Sequence, residues 1–316
     1  MTVNSAEMRI VFIGAVDFSR HCLNEVLQAG GNVVALLTLE RERQRVHSDF
    51  ADLAALASSH RIPVYRVGKI SAAENVDLIR SLRPDVIFVF GWSQLISREI
   101  LDIPRLGCIG THPALLPRNR GRHPLIWALV EGLTESGLTF FYLDAGADSG
   151  DILWQQSFSI SIDDDAGRLY KKIQCLASRA IAEFLPQLQQ GTAPRIPQDH
   201  SLATYWRKRC EADGEINWYA PTIESYNLIR ALTRPYVGAH SFQAGNRITV
   251  WRAALPTGSS RFAGEECEPG MVVAMQSGEI HVRTGDGYLR ILEYSSCSNV
   301  RLDVSLRLRA HSCVHL

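Results

Sequence analysis

The sequence GCIGTHPALLPRNRGRHPLIWALVEGLTESGLTFFYLDAGADSGDI, residues 107–152, carries most of the information about the fold and chemistry of this chain. A short apolar run at 106–109 predicts a buried strand that delivers His112 at its end. Prolines and glycines then predict an extended, turn-rich loop, because proline fixes φ and glycine permits conformations that other residues avoid. A second apolar run, at 138–143, predicts a strand that leads to Asp148.

Two predicted strand ends thus present a histidine and a carboxylate, His112 and Asp148, with an arginine-rich loop between them. A histidine oriented by a carboxylate is a common means of moving a proton at neutral pH. A lone histidine after a strand is more often structural than catalytic. The pair is therefore a candidate catalytic site, with a structural role as the alternative.

Upstream of this stretch, apolar strands and helices alternate. Strands are predicted at 9–16, 32–39, 63–67 and 85–91, and helices at 19–28, 50–58 and 72–82. The strands are continuously apolar, which is typical of parallel sheets covered on both faces. We therefore expect an α/β fold with a doubly wound, Rossmann-like, mostly parallel sheet. The turn at 14–19 lacks the GxGxxG pattern, so a dinucleotide fingerprint is absent.

Downstream, the composition changes twice. A helix at 166–189 carries one apolar stripe, and the acidic run at 163–165 fits a cap for it. The last part of the chain alternates apolar and polar residues with glycine-rich turns, which predicts a small, OB-like β-barrel. We expect a catalytic domain at 1–191, a linker at 192–218 and the barrel at 219–316.

Composition narrows the class of protein. The chain has 316 residues, of which 46% are hydrophobic, so a large core is expected. A formal net charge of zero gives no reason to expect nucleic acid or an anionic membrane as a partner. Seven scattered cysteines without a CxxC pair indicate reduced thiols in a cytoplasmic protein, and no apolar run is long enough to span a membrane. A mixed-charge run at 41–45 is predicted to be a solvated loop, with substrate contact as the alternative.

Two sets of motifs carry a resemblance to a known family. HPALLPRNRGRHP followed by the DSG turn resembles the folate-dependent (methionyl-tRNA formyltransferase-like) formyltransferases, whose pattern is N-x-H-P-S-L-L-P, then R-G, then D-T-G. TYWRKRCEADGEINW at 204–218 and NLIRALTRPYVGAHSF at 227–242 are similar to the members that act on nucleotide-linked amino sugars. The resemblance implies transfer of a formyl group from 10-formyltetrahydrofolate to an amine.

The resemblance also implies roles for individual residues. The family's catalytic asparagine, histidine and aspartate fall on Gly110, His112 and Asp148, so the asparagine is missing. The segment that receives the pterin ring in the family falls on Phe90, Gly91, Trp92 and Leu95. The alternative for these aromatic residues is ordinary core packing.

Gly110 leaves three hypotheses open. A neighbouring side chain, with Thr111 the nearest in sequence, takes over as donor to the oxyanion. A different acyl donor or acceptor fits an enlarged pocket. Or the protein binds folate without efficient turnover, since one lost oxyanion donor typically costs about a hundred- to a thousandfold in rate.

The arginine-rich loop predicts an anion contact. Alternate residues of an extended loop point the same way, so Arg118, Arg120 and Arg122 could all face one ligand. Guanidinium groups pair bidentately with anions, which favours a diphosphate or the glutamate of folate. The alternative role is solubility.

The predicted function is N-formylation of a nucleotide-linked amino sugar for a surface polysaccharide. The alternatives are formylation of methionyl-tRNA, formylation of hydroxyornithine, and a non-catalytic folate-binding protein. Neutral charge and the 204–218 motif count against tRNA. The barrel could bind ligand, form a homodimer or only pack.

Overall fold

The computed structural model describes residues 8–40, 49–256, 267–276, 279–296 and 307–308. The mixed-charge run at 41–45 lies outside them. The chain forms two compact units. The first comprises Met1–Pro124, Glu135–Ser159 and Tyr170–Arg207, and the second comprises Leu125–Thr134, Ile160–Leu169 and Lys208–Leu316.

The first unit is built on one large sheet. Its described strands are β1 (Arg9–Ile13), β2 (Asn32–Leu39), β3 (Val64–Val67), β4 (Val86–Val89), β5 (Cys108–His112), β6 (Arg120–Gly121), β7 (Glu135–Tyr142), β8 (Ile152–Ser159) and β9 (Tyr205–Trp206). Seven of them form a sheet in the order β3-β2-β1-β4-β5-β7-β8. The first five in that order run parallel, while β7 and β8 are antiparallel additions. The predicted mostly parallel α/β sheet is confirmed.

Helices follow most of the parallel strands. The α-helices of the described chain are α1 (Asp17–Gln28), α2 (Ala54–Ser59), α3 (Ala73–Leu82), α4 (Arg98–Leu101), α5 (Pro124–Val130), α6 (Ala166–Gln190) and α7 (Thr222–Leu232). Asp165 caps α6 as expected, because its Oδ1 accepts the backbone N–H of Arg168 at 2.9 Å.

The centre of the sheet is buried on both faces. All four residues of β4 are buried, as continuous apolar strands require in a parallel sheet. One face is filled by aromatic rings whose centroids lie 5.0–6.0 Å apart, namely Phe12, Phe88, Phe90, Phe140 and Phe184. This packing fixes the carboxyl ends of β1, β4 and β5 at one edge of the sheet.

The second unit contains an antiparallel sheet. Its described strands are β10 (Ala239–Gln243), β11 (Asn246–Ala254), β12 (Val272–Gln276), β13 (Glu279–Arg283) and β14 (Tyr288–Ser296), in the order β10-β11-β14-β13-β12. The β-rich domain predicted for the C-terminal part is confirmed, and its described strands are antiparallel. No helix among the described residues is long and apolar enough to cross a membrane.

Candidate functional site

A cavity of about 360 Å³ lies in the first unit. Its walls come from 92–96 after β4, from 110–112 at the end of β5, and from 143–148 between β7 and β8, together with Gly121 and Arg122. Ligands of open α/β sheets bind beyond the carboxyl ends of the strands, and the ends of β4 and β5 meet at this cavity as predicted. β7 runs antiparallel to β5, so its own end lies at the other edge, and the 143–148 loop brings Asp148 back to the cavity.

His112 is held by two different neighbours. Its side chain is buried, and Nε2 lies 2.7 Å from the carbonyl oxygen of Asn119. Because a carbonyl only accepts, Nε2 carries a proton and donates it there. Nδ1 lies 3.7 Å from Oδ2 of Asp148, so this nitrogen is the one left for chemistry.

The carboxylate of Asp148 is fixed by the arginine-rich loop. Its Oδ2 accepts the backbone N–H of Gly121 at 2.9 Å. Asp148 and Asn119 both have positive φ angles, 54° and 61°, in the left-handed region that ordinary residues avoid. Such conformations persist only where surrounding contacts impose them, and here both residues touch or lie next to the imidazole.

The segment that pairs with this loop lies at 204–206, within the predicted linker at 192–218. The two residues of β6 pair in parallel with those of β9, and Arg120 N–H donates to the Thr204 carbonyl at 2.9 Å. A Cβ on Gly121 would lie 2.2 Å from the Trp206 carbonyl oxygen, so only glycine fits there. Sequence reasoning missed this pairing. The one signal was that the 204–218 motif is more specific than a linker needs.

The three arginines do not share one face. Arg120 is only 2% exposed, because the pairing of β6 with β9 turns it inward. Its guanidinium donates to the hydroxyl of Tyr205 and to the side-chain oxygen of Gln198. Arg122 lines the cavity and is exposed. Arg118 is exposed as well. The structure thus leaves Arg122 as the guanidinium at the cavity wall.

Gly110 does not open an extra pocket. A Cβ built there would lie 2.5 Å from Cδ2 of Leu143, so the leucine fills the space beside the glycine. Thr111 pairs with Phe140, whose ring belongs to the aromatic core. Strand alternation therefore places the Thr111 side chain on the face opposite His112, although the residue borders the cavity.

The segment after β4 divides between core and cavity. Phe90 is fully buried and stacks on Phe88 with centroids 5.0 Å apart, which places it in the core. Gly91 has a φ of 63°, and a Cβ there would lie 2.5 Å from Oγ of Ser19. That hydroxyl donates to the Phe90 carbonyl at 2.6 Å and so fixes the turn.

Trp92 and Leu95 line the cavity. Leu95 is 81% exposed, an unusual position for a large apolar side chain. The buried indole N–H of Trp92 finds no acceptor among the described residues. Because that nitrogen has almost no accessible surface, a ligand in the cavity cannot reach it.

The site contains acid–base groups and no metal cluster. Among the described residues, no group of three or more His, Cys, Asp and Glu side chains could hold a metal ion. What the geometry provides is an imidazole with one committed nitrogen and one nitrogen facing a carboxylate. Such a pair can donate a hydrogen bond to a developing oxyanion and relay a proton.

Family profiles and known proteins match over nearly the whole chain. The profile described as "Formyl transferase" matches residues 8–185, and that of "Formyl transferase, C-terminal domain" matches residues 210–309. The methionyl-tRNA formyltransferase of Geobacter metallireducens is 36% identical over 291 residues, 91% of this chain and 91% of that protein.

Two solved structures share the fold. The N-formyltransferase from Helicobacter canadensis, solved with folinic acid and dTDP-3-aminofucose, has a TM-score of 0.67 at 18% identity, covering 90% of this chain and 99% of that one. HypX from Aquifex aeolicus, solved with tetrahydrofolic acid, has a TM-score of 0.65 at 17% identity, covering 92% of this chain and 44% of that one.

Proposed function

The chain belongs to the formyl transferase family, and from that premise we propose that it transfers a formyl group from 10-formyltetrahydrofolate to the amine of a nucleotide-linked amino sugar. The observation that carries the proposal is the His112–Asp148 pair at a cavity beyond the strand ends. A histidine with one free nitrogen facing both a carboxylate and a cavity is suited to acyl transfer.

The wall of the cavity fits a folate. 10-Formyltetrahydrofolate, when bound, would supply the formyl group on a nitrogen that can leave. The turn after β4 offers rigid backbone groups to a flat heterocycle. Leu95 offers apolar surface at the same wall.

His112 and Asp148 have different roles in the proposed transfer. The amine forms a new C–N bond to the formyl carbon, the old C–N bond breaks, and one proton passes from the amine to the departing nitrogen. Protonated His112 donates from Nδ1 to the formyl oxygen as charge develops on it. Asp148 stabilises the imidazolium and can take the amine proton through a water.

Gly110 makes His112 the main donor in this scheme. Leu143 occupies the space beside the glycine, and Thr111 lies on the other face of the strand. The site therefore depends on the imidazolium more heavily than a site with an asparagine amide would. We expect turnover to be correspondingly sensitive to the placement of Asp148.

Sequence features favour a nucleotide-linked amino sugar as the acceptor. The 204–218 and 227–242 motifs resemble the members of the family with such acceptors, and the net charge is zero. Arg122 at the cavity wall is suited to a diphosphate, because its guanidinium can pair bidentately with phosphate oxygens.

Methionyl-tRNA is the second candidate acceptor. It is favoured by one specific observation, the 36% identity over 291 residues to a methionyl-tRNA formyltransferase. A tRNA-binding protein would show binding that weakens steeply with salt, because each phosphate contact releases counterions.

Mass spectrometry separates these acceptors. The protein is incubated with 10-formyltetrahydrofolate and either a panel of nucleotide-linked amino sugars or methionyl-tRNA, with His112→Ala as the control. We expect one formyl mass on a sugar, none on the tRNA and none with the control. Formylated methionyl-tRNA would select the second candidate. Tight folate binding without product from any acceptor would leave a folate-binding protein.

A further inference from the structure

Arg120 is a buried cation without an acidic partner. Nη1 donates to the Tyr205 hydroxyl at 3.0 Å, and Nη2 donates to Oε1 of Gln198 at 2.7 Å and to Nδ1 of His200 at 3.1 Å. Among the described residues no carboxylate pairs with it. Burying a charge is costly unless its partners repay the lost hydration, so the arrangement calls for an explanation beyond packing.

Gln198 connects this guanidinium to the catalytic loop. The side chain is buried, and its amide is used at both ends. The oxygen accepts from Arg120, while Nε2 donates to the backbone carbonyls of Asp148 at 3.0 Å and Gly150 at 2.6 Å. Since these hydrogen bonds form together only in one arrangement, the buried amide holds the loop at 148–150 in one position.

A second connection reaches the same aspartate. Gly121 follows Arg120 in β6, and its N–H donates to Oδ2 of Asp148. Arg120 is therefore connected to both sets of hydrogen bonds that restrain Asp148. One acts on the backbone through Gln198, and the other acts on the carboxylate through the adjacent peptide.

We propose that Arg120 and Gln198 are positioning residues for formyl transfer, holding the Asp148 carboxylate at its working distance from Nδ1 of His112. The inference rests on the proposed function for the reaction itself. Asp148 has a φ of 54°, which an aspartate adopts at a cost, so its loop relaxes when the two donated bonds from Gln198 are lost. A displacement of about 1 Å can lower a rate on the order of a hundredfold.

Gln198→Glu separates the hydrogen bond that Gln198 accepts from Arg120 from the two that it donates to the loop at 148–150. The carboxylate keeps the shape and still accepts from Arg120, but it cannot donate to the carbonyls of Asp148 and Gly150. We expect kcat to fall about ten- to a hundredfold, with KM for both substrates within about twofold. Thermal unfolding and the fraction of active protein are measured alongside.

Three further variants complete the test. Gln198→Ala removes the accepted and the donated hydrogen bonds together and is expected to match or exceed the loss in kcat. Arg120→Lys keeps the charge but replaces a planar fork with one ammonium, so kcat should also fall. The matched control is Gln174→Ala, which removes a bond from Nε2 to Oδ2 of Asp17; neither residue lines the cavity, so kcat should be unchanged.

The outcomes distinguish a positioning role of Gln198 from a purely structural role, and both from a failure of the proposed reaction. A lower melting temperature with normal kcat per active molecule in the Gln198 variants would overturn the inference. So would wild-type kcat in Gln198→Glu with intact folding. If Asp148→Asn is as active as wild type, the proposed function itself fails. If Asp148→Asn is inactive while Gln198→Glu is normal, only the positioning role fails.

Discussion

Arg120 in the first unit and Arg230 in the second are both buried arginines that tie down a loop, and they differ in what that loop carries. Arg230 lies in α7, and its Nη1 donates to the carbonyls of Ser161 and Asp164, each at 2.9 Å. Its loop leads into α6 and does not line the cavity beside His112. The loop tied by Arg120 contains Asp148, the proposed catalytic carboxylate.

The two guanidinium groups also have acceptors of the same kind. Both guanidinium groups donate to uncharged acceptors, and burial lowers the pKa of Arg230. Burial of an arginine therefore does not identify a functional residue. The function depends on what its acceptors hold, so damage near Arg120 should appear in the rate and damage near Arg230 in the stability.

The largest expected effect lies at the centre of the first region. His112→Ala removes the imidazole that lines the cavity, and we expect kcat to fall about a hundred- to ten-thousandfold, as for lost acid–base catalysis. Equilibrium binding of 5-formyltetrahydrofolate should persist, because the wall at 92–96 is untouched. Turnover at the wild-type rate would place the chemistry elsewhere.

Arg230→Met tests whether the buried arginine of the second unit acts on stability. Carbonyls of the loop at 161–164 would lose their donor, so we expect the free energy of unfolding to fall by about 2–4 kcal/mol. Urea denaturation measures this change, and kcat per active molecule should be normal. Arg234→Met is the control, because that arginine is exposed and should cost about 0.5 kcal/mol or less. A selective loss of kcat in Arg230→Met would erase the distinction between the two arginines.

Gly110→Asn asks how tightly the catalytic region is packed. The new side chain would overlap Leu143, and overpacking typically costs about 1–3 kcal/mol. Adding Leu143→Ala should recover part of that loss, measured by denaturation of both variants. Equal stability of Gly110→Asn and wild type would show that the leucine yields easily.

The smallest effect is expected in the second unit. Burial, helped by the charge of Arg247, lowers the pKa of His240 below its ordinary value of 6.5. The unfolded chain then binds the proton more readily than the folded one. Stability from this group is complete above pH 6.5 and is lost as the pH falls from there through the folded pKa. Melting curves near pH 7.5 and near pH 5.5 should differ less for His240→Asn than for wild type; equal differences would discount His240.

Local patterns in the sequence predicted much of this molecule. The continuous apolar runs indicated a parallel sheet, and the strand before His112 indicated where the imidazole would lie. Asp148 was placed beside it by its position after the next predicted strand, but β7 runs antiparallel to β5, and it is the 143–148 loop that brings the carboxylate to the imidazole.

Contacts between distant segments could not be predicted. The inward turn of Arg120 depends on pairing with Tyr205, which lies 85 residues later. A strand of two residues carries no periodic signal. The overlap of Leu143 with the position beside Gly110 depends equally on a cross-strand register, which composition does not encode.

The β6–β9 pairing has a consequence for anyone who recombines this protein. The polypeptide that braces the aspartate comes after α6, and the first unit accordingly extends to Arg207. A chimaera spliced at the end of α6 would keep His112 and Asp148 and lose the segment that restrains the aspartate. Module boundaries in this architecture are better drawn by what restrains the reacting groups than by where the sheet stops.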